Sequence, residues 1–123
     1  MTDRRDNPPG DPFDPSLEIS VPETARRHAS GEDGFMLIDI REPDELKIAA
    51  IDGAEHIPMA TIASDLARRG VDRGTTLALL CRTGNRTRSA ATQLQSLGYE
   101  NARSVAGGIH WWSDRLDPTL TKY

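Results

Sequence analysis

Thr75-Thr76-Leu77-Ala78-Leu79-Leu80-Cys81-Arg82-Thr83-Gly84-Asn85-Arg86-Thr87-Arg88-Ser89 passes through three kinds of sequence in quick succession. Residues 75–80 are dominated by apolar side chains, the pattern of a strand buried on both faces. Residues 81–86 are polar, with Gly84 and Asn85 suited to positive φ. Residues 87–97 place Ala90, Ala91, Leu94 and Leu97 at helical spacing, and Gly98 is a natural stop. A strand that runs through a short loop into a helix is half of a parallel βαβ unit.

The same alternation extends outward on both sides. Upstream, Phe35-Met36-Leu37-Ile38-Asp39-Ile40 is a second doubly buried strand, and Arg41-Glu42-Pro43-Asp44-Glu45 opens a short helix with Pro43 in its first turn. Residues 53–58 suit a short strand stopped by Pro58. Residues 59–69 form an amphipathic helix on Met59, Ile62 and Leu66. Further upstream, residues 17–19 are a strand candidate. Ser20 and Glu23 then form a capping box for a helix that ends near Ser30 and Gly31. Downstream, residues 102–105 are a last strand, and Gly107-Gly108 precedes a helix carrying Trp111 and Trp112.

Strands alternating with short helices imply an α/β fold: a small, mostly parallel sheet with helices on both faces. Ligands of such sheets bind outside the carboxyl ends of the strands. The two strongest strands end there in Asp39-Ile40-Arg41 and Cys81-Arg82.

Bulk properties narrow the reading. The 123 residues fit one domain, placed at 17–123 behind a flexible tail at 1–16 that holds Pro8, Pro9, Gly10, Pro12 and Pro15. Lys plus Arg is 15 against 19 for Asp plus Glu, so the chain is not a globally basic nucleic-acid binder. No apolar run reaches the ~20 residues of a membrane span, and the first residues lack the apolar centre of a secretory signal. Cys81 is the one cysteine, which excludes an internal disulfide and a Cys-rich zinc site and favours a reducing, cytoplasmic setting.

The chemistry is concentrated in residues 81–88. Backbone N–H groups of a curled loop, the start of the next helix, and Arg82, Arg86 and Arg88 all stabilise negative charge at the Cys81 sulfur. The same groups attract an anionic substrate. A merely packed cysteine at a strand end would call for none of them.

Four segments together resemble the rhodanese family of sulfurtransferases: residues 37–46, residues 51–58, the loop 81–89, and Val105-Ala106-Gly107-Gly108-Ile109-His110-Trp111-Trp112. Ala49-Ala50 stand where many members have Gly-His. Ile48-Ala49-Ala50-Ile51 and the closing residues 117–123 look more like the rhodanese domain of adenylyltransferase–sulfurtransferase fusions. The resemblance implies a three-layer rhodanese-like fold, no cofactor and no metal. It implies that Cys81 takes a sulfane sulfur from thiosulfate or a persulfide donor and carries it as a persulfide to a thiol, cyanide or carrier-protein acceptor. Arg82, Thr83, Gly84, Asn85, Arg86 and Thr87 would bind substrate: Arg82 the anionic part of the donor, Arg86 the persulfide, and Thr87 the sulfur or the helix start. A cysteine desulfurase or a sulfur-carrier protein would be the protein partner, with no role for nucleic acid or membrane.

Two other readings use the same fold. Phosphatases and arsenate reductases of this fold need Cys and Arg separated by five residues, whereas Cys81 and Arg86 enclose four. Non-catalytic binding modules typically lack the cysteine. Elsewhere, Asp39 and Arg41 read as ligands of loop backbone and of neighbours such as Glu45. His28, His56 and His110 are too scattered in sequence to suggest zinc. One of Trp111 and Trp112 reads as core and the other as partly exposed. Gly107 and Gly108 suit either a close backbone approach to the loop or a simple turn.

Overall fold

A computed structural model describes residues 13–121. Of the expected tail at 1–16, residues 1–12 lie outside the described residues. Residues 13–16 are tied to the rest of the domain: the Leu17 N–H donates to the Asp14 carbonyl, Gln95 donates to the Ser16 carbonyl and Arg103 to that of Pro15.

Five strands, β1 (Glu18–Ile19), β2 (Phe35–Asp39), β3 (Glu55–His56), β4 (Thr76–Leu80) and β5 (Ala102–Val105), form one sheet in the order β1-β5-β4-β2-β3. Every pairing is parallel. Four helices connect them, α1 (Val21–Ala29), α2 (Pro43–Ile48), α3 (Ile62–Arg68) and α4 (Asn85–Ser96), and α5 (Gly108–Arg115) follows the last strand. The three-layer α/β arrangement expected from the alternation is what is seen.

Period-2 alternation divides the core between the two faces of the sheet. Leu77, Leu79 and Cys81 join Ile38, Ile57, Leu66, Ala90 and Leu94 on the side of α3 and α4. Ala78 and Leu80 join Leu37, Val21, Val105, Ile109 and Trp112 on the side of α1 and α5. Burial on both faces is why β4 has no polar residue after Thr76. Trp112 is the core tryptophan and Trp111 is half-buried.

Three local expectations need correction. Residues 59–69 are not one helix: after Pro58 a 3-10 turn (Met59–Thr61) comes first, with Thr61 N–H donating to the Pro58 carbonyl, and α3 starts at Ile62. At α1, Ser20 accepts from the Glu23 N–H at 3.2 Å, but the Glu23 carboxylate turns to Arg27 and does not close the box. The third concerns α4, which starts at Asn85 and not at Thr87. Gly84, at φ +99, takes the helix cap, and its carbonyl accepts from the Arg88 N–H. Asn85 therefore has no need of positive φ, and only glycines adopt it among the described residues.

The connections leaving β2 and β4 diverge. The chain leaves β2 for β3 on one side and β4 for β5 on the other, so the strand order reverses between these two neighbours. The carboxyl ends of β2 and β4 flank the crevice where such sheets bind ligands. Cys81 stands at the end of β4.

Candidate active site

Cys81 is 1% exposed, while Arg82, Thr83 and Asn85 of the same loop are exposed. Its sulfur meets two polar groups. The Gly84 N–H points at Sγ from 3.1 Å, and the Thr87 hydroxyl lies 3.4 Å away. Both can donate to a negatively charged sulfur. The N-terminus of α4 lies at the same place, because Gly84 is its cap, and adds the positive end of a 12-residue helix.

The loop is held from the other side by α5. The Ile109 N–H donates to the Cys81 carbonyl at 2.9 Å, and the His110 N–H to the Arg82 carbonyl at 3.1 Å. Two of the unpaired N–H groups that any helix start presents are thus satisfied by the loop backbone. Only glycine permits this approach. At Gly108 φ is +61, and a Cβ there would overlap the Cys81 carbonyl oxygen and lie 2.7 Å from the backbone of Arg82. The Gly107-Gly108 pair is a close approach as well as a turn.

The six residues expected to bind substrate separate into distinct groups. Gly84 and Thr87 face the sulfur. Arg82 and Thr83 lie on the exposed rim, where Arg82 Nε donates to His110 Nε2 at 3.3 Å. Asn85 and Arg86 belong to the first turn of α4. The Arg86 guanidinium reaches across the crevice to Glu45 of α2, with two parallel bonds of 2.9 Å. Its fork is filled by a carboxylate, so a direct contact with a persulfide would require that pair to open. Arg88 turns away to Glu18 at 3.1 Å.

The Glu45 carboxylate, four residues on from Arg41, accepts from Arg86. The guanidinium of Arg41, fully buried, is bound by the Asp39 carboxylate at 2.7–3.2 Å and donates to the carbonyls of Ala49 and Glu45. The ends of α2 and β2 are thereby tied together, which holds Glu45 at the crevice. His56 Nε2 donates to the Arg41 carbonyl at 2.7 Å, and His28 Nε2 to that of Asp52. Among the described residues no three His, Cys, Asp or Glu side chains converge to hold a metal ion.

Sequence reasoning misses Ser104. Its hydroxyl, buried on β5, lies 2.7 Å from the Thr87 hydroxyl and 3.3 Å from the Gly84 carbonyl. The available signal is a lone hydroxyl between Arg103 and Val105, in a strand whose other inward positions are apolar.

A parallel α/β domain with a buried cysteine at the carboxyl end of a central strand, its sulfur facing a loop N–H and a helix start, defines a cysteine-loop α/β domain. Within that class the family is settled by comparison: residues 21–115 match the family described as Rhodanese-like domain, and the chain belongs to it. A chloroplastic Rhodanese-like/PpiC domain-containing protein of Arabidopsis thaliana is 34% identical over 94 residues, covering 74% of this chain and 31% of that protein. The probable adenylyltransferase/sulfurtransferase MoeZ of Mycobacterium tuberculosis is 34% identical over 87 residues, covering 71% of this chain and 22% of that protein. The chain spans less than a third of the length of these curated relatives. Among solved structures, the human single-domain sulfurtransferase superposes with a TM-score of 0.62 at 27% identity, covering 84% of this chain and 98% of that one. The domain is thus homologous to sulfurtransferase domains, including those fused to adenylyltransferases. Among the described residues no helix is long and apolar enough to cross a membrane.

Proposed function

We propose that this domain is a sulfurtransferase that carries a sulfane sulfur as a persulfide on Cys81. The observation that carries the reading is the Gly84 N–H and Thr87 hydroxyl converging on the Cys81 sulfur at the start of α4. With thiosulfate as donor, the Cys81 thiolate attacks the outer sulfur. An S–S bond forms, the outer sulfur's bond to the sulfonate sulfur breaks, and sulfite leaves with the bonding pair. Cyanide or an acceptor thiolate then attacks the terminal sulfur of the persulfide, and the Cys81 thiolate leaves. The cycle is redox-neutral and needs no cofactor. Splitting one transfer into two displacements at a held nucleophile is covalent catalysis.

The chain's own groups serve the two states in turn. Gly84 N–H, the Thr87 hydroxyl and the α4 dipole stabilise thiolate and persulfide charge. Arg82, on the rim beside His110, binds the anionic end of the donor. Thr83 and Asn85 are exposed beside it, and the Arg86–Glu45 pair links α4 to α2. Because Cys81 is the one cysteine, the persulfide has no resolving thiol in the chain and must pass to a second molecule. The relatives' combination of adenylyltransferase and sulfurtransferase in one protein supports a sulfur-carrier protein as that acceptor. A cysteine desulfurase would be the protein donor, in a reducing, cytoplasmic setting. The spacing from Cys81 to Arg86 favours sulfur over a tetrahedral phosphate or arsenate, as does the short loop closed by Gly84.

The test is thiocyanate production from thiosulfate and cyanide by the wild type and by Cys81→Ser. Activity in the wild type alone is expected. A Cys81→Ser variant with wild-type turnover would overturn the assignment.

A further inference from the structure

Beneath Cys81 lie two buried hydroxyls, of which the reaction as described uses one. Thr87 Oγ1 has a single proton and three neighbours: Cys81 Sγ at 3.4 Å, the Gly84 carbonyl at 3.2 Å and Ser104 Oγ at 2.7 Å. Ser104 Oγ also has one proton, and reaches the same Gly84 carbonyl at 3.3 Å. That carbonyl already accepts the Arg88 N–H, which leaves it one lone pair for a hydroxyl. Both side chains are fully buried, away from bulk water, so their partners come from the protein around them.

The two protonation states of the sulfur make different demands. A thiol can donate to Thr87 Oγ1, and Thr87 then donates to Gly84. A thiolate only accepts, so the Thr87 proton must turn toward Sγ and leave the Gly84 carbonyl. With Ser104 in place its hydroxyl donates to Thr87 Oγ1 at 2.7 Å, which directs the Thr87 proton to Sγ, while the Gly84 carbonyl keeps the Arg88 N–H. We infer that Ser104 is a positioning residue for Cys81: it frees the Thr87 hydroxyl to donate to the sulfur anion. This rests on Cys81 reacting as a thiolate, the premise of the proposed function, but not on any particular sulfur donor.

The experiment is the rate of Cys81 alkylation by iodoacetamide at fixed neutral pH, with the ultraviolet absorbance of the thiolate read alongside. It is made on wild type, Ser104→Ala, Thr87→Val and the double variant. Valine keeps the shape of threonine, and alanine removes one buried oxygen. The charged groups around the loop, Arg82 with His110, Arg86 with Glu45 and Asp39 with Arg41, are unaltered in all four. Loss of one hydrogen bond to the thiolate predicts a roughly fivefold slower alkylation and weaker thiolate absorbance in Ser104→Ala. In the Thr87→Val background the same substitution should change nothing, because Ser104 acts through Thr87. Ser104→Thr, which keeps the hydroxyl, should restore the rate. Wild-type reactivity in Ser104→Ala would overturn the inference, and so would an equal slowing in both backgrounds, which marks a packing effect. If alkylation follows the expected pattern but no persulfide forms from any donor, the proposed function fails and the role of Ser104 stands.

Discussion

Replacing Gly108 by alanine tests how the active-site loop is held. Two penalties combine there. The first is conformational: φ is +61, a region that costs an L-residue ~1–2 kcal/mol, partly offset by the stiffer unfolded chain. The second is contact. The new methyl would overlap the Cys81 carbonyl oxygen and lie 2.7 Å from the carbonyl carbon and oxygen of Arg82. These are backbone atoms, so no rotamer change relieves the overlap and the start of α5 must retreat. Retreat gives up the bonds from Ile109 N–H and His110 N–H, at about 1 kcal/mol each, so the total is roughly 3–4 kcal/mol. That is a large part of the ~5–15 kcal/mol that holds a domain folded. Gly31 is the matching control: its φ is +64, and a Cβ there meets nothing within 4 Å. Urea denaturation followed by the fluorescence of Trp111 and Trp112 should give about 1 kcal/mol for Gly31→Ala and a further ~2–3 kcal/mol for Gly108→Ala. Equal losses at the two positions would refute a clamp of α5 on the loop through backbone contact.

Other perturbations separate the parts of the site. Asp39→Asn strands the Arg41 guanidinium, whose side chain is 0% exposed, and should cost ~3–5 kcal/mol in denaturant unfolding; a loss below ~1 kcal/mol would contradict the tie between β2 and α2. Glu45→Gln should change stability by less than ~1 kcal/mol, since the Arg86 pair is half-exposed. It should also lower the KM for thiosulfate by uncovering the Arg86 charge, and an unchanged or raised KM would argue against a role for that charge in donor binding. The Ser16 hydroxyl, followed by its backbone N–H, holds the Asp14 carboxyl below its ordinary value. The folded value is the depressed one, so this contribution is complete above the ordinary aspartate range and is lost as pH falls through the folded value. Acid titration of stability should therefore fall less steeply in Asp14→Asn than in wild type, and identical acid limbs would count against it.

Much of the fold is legible in the sequence because the core strands carry their signal locally. Residues 35–38 of β2 and 77–80 of β4 are unbroken apolar runs, and chemistry begins where each run stops. The start of α4 is harder to read, because Gly84 caps the helix through backbone conformation, with no Ser, Thr, Asp or Asn to announce it. The two-residue difference matters: sequence alone leaves Arg86 in the loop, whereas it is a helix residue bound to Glu45. The partner of Glu45 is obscured for a different reason. Spacing of four residues points to Arg41, but Arg41 is drawn inward by Asp39 and Arg86 arrives from 41 residues away. Ser104 gives only a lone hydroxyl in β5 as its local sign, because its role exists only once β5 lies beside β4, as Leu79 paired with Ser104 records. Local pattern gives elements, and contacts of long sequence separation decide which polar groups meet.

A persulfide on Cys81 can be read directly from the intact mass of the reduced protein before thiosulfate, after it, and after subsequent cyanide. Sulfur transfer through Cys81 predicts a gain of one sulfur atom that cyanide removes and that Cys81→Ser never shows. No gain from thiosulfate or from a persulfide donor protein, with Cys81 free and alkylatable, would contradict it.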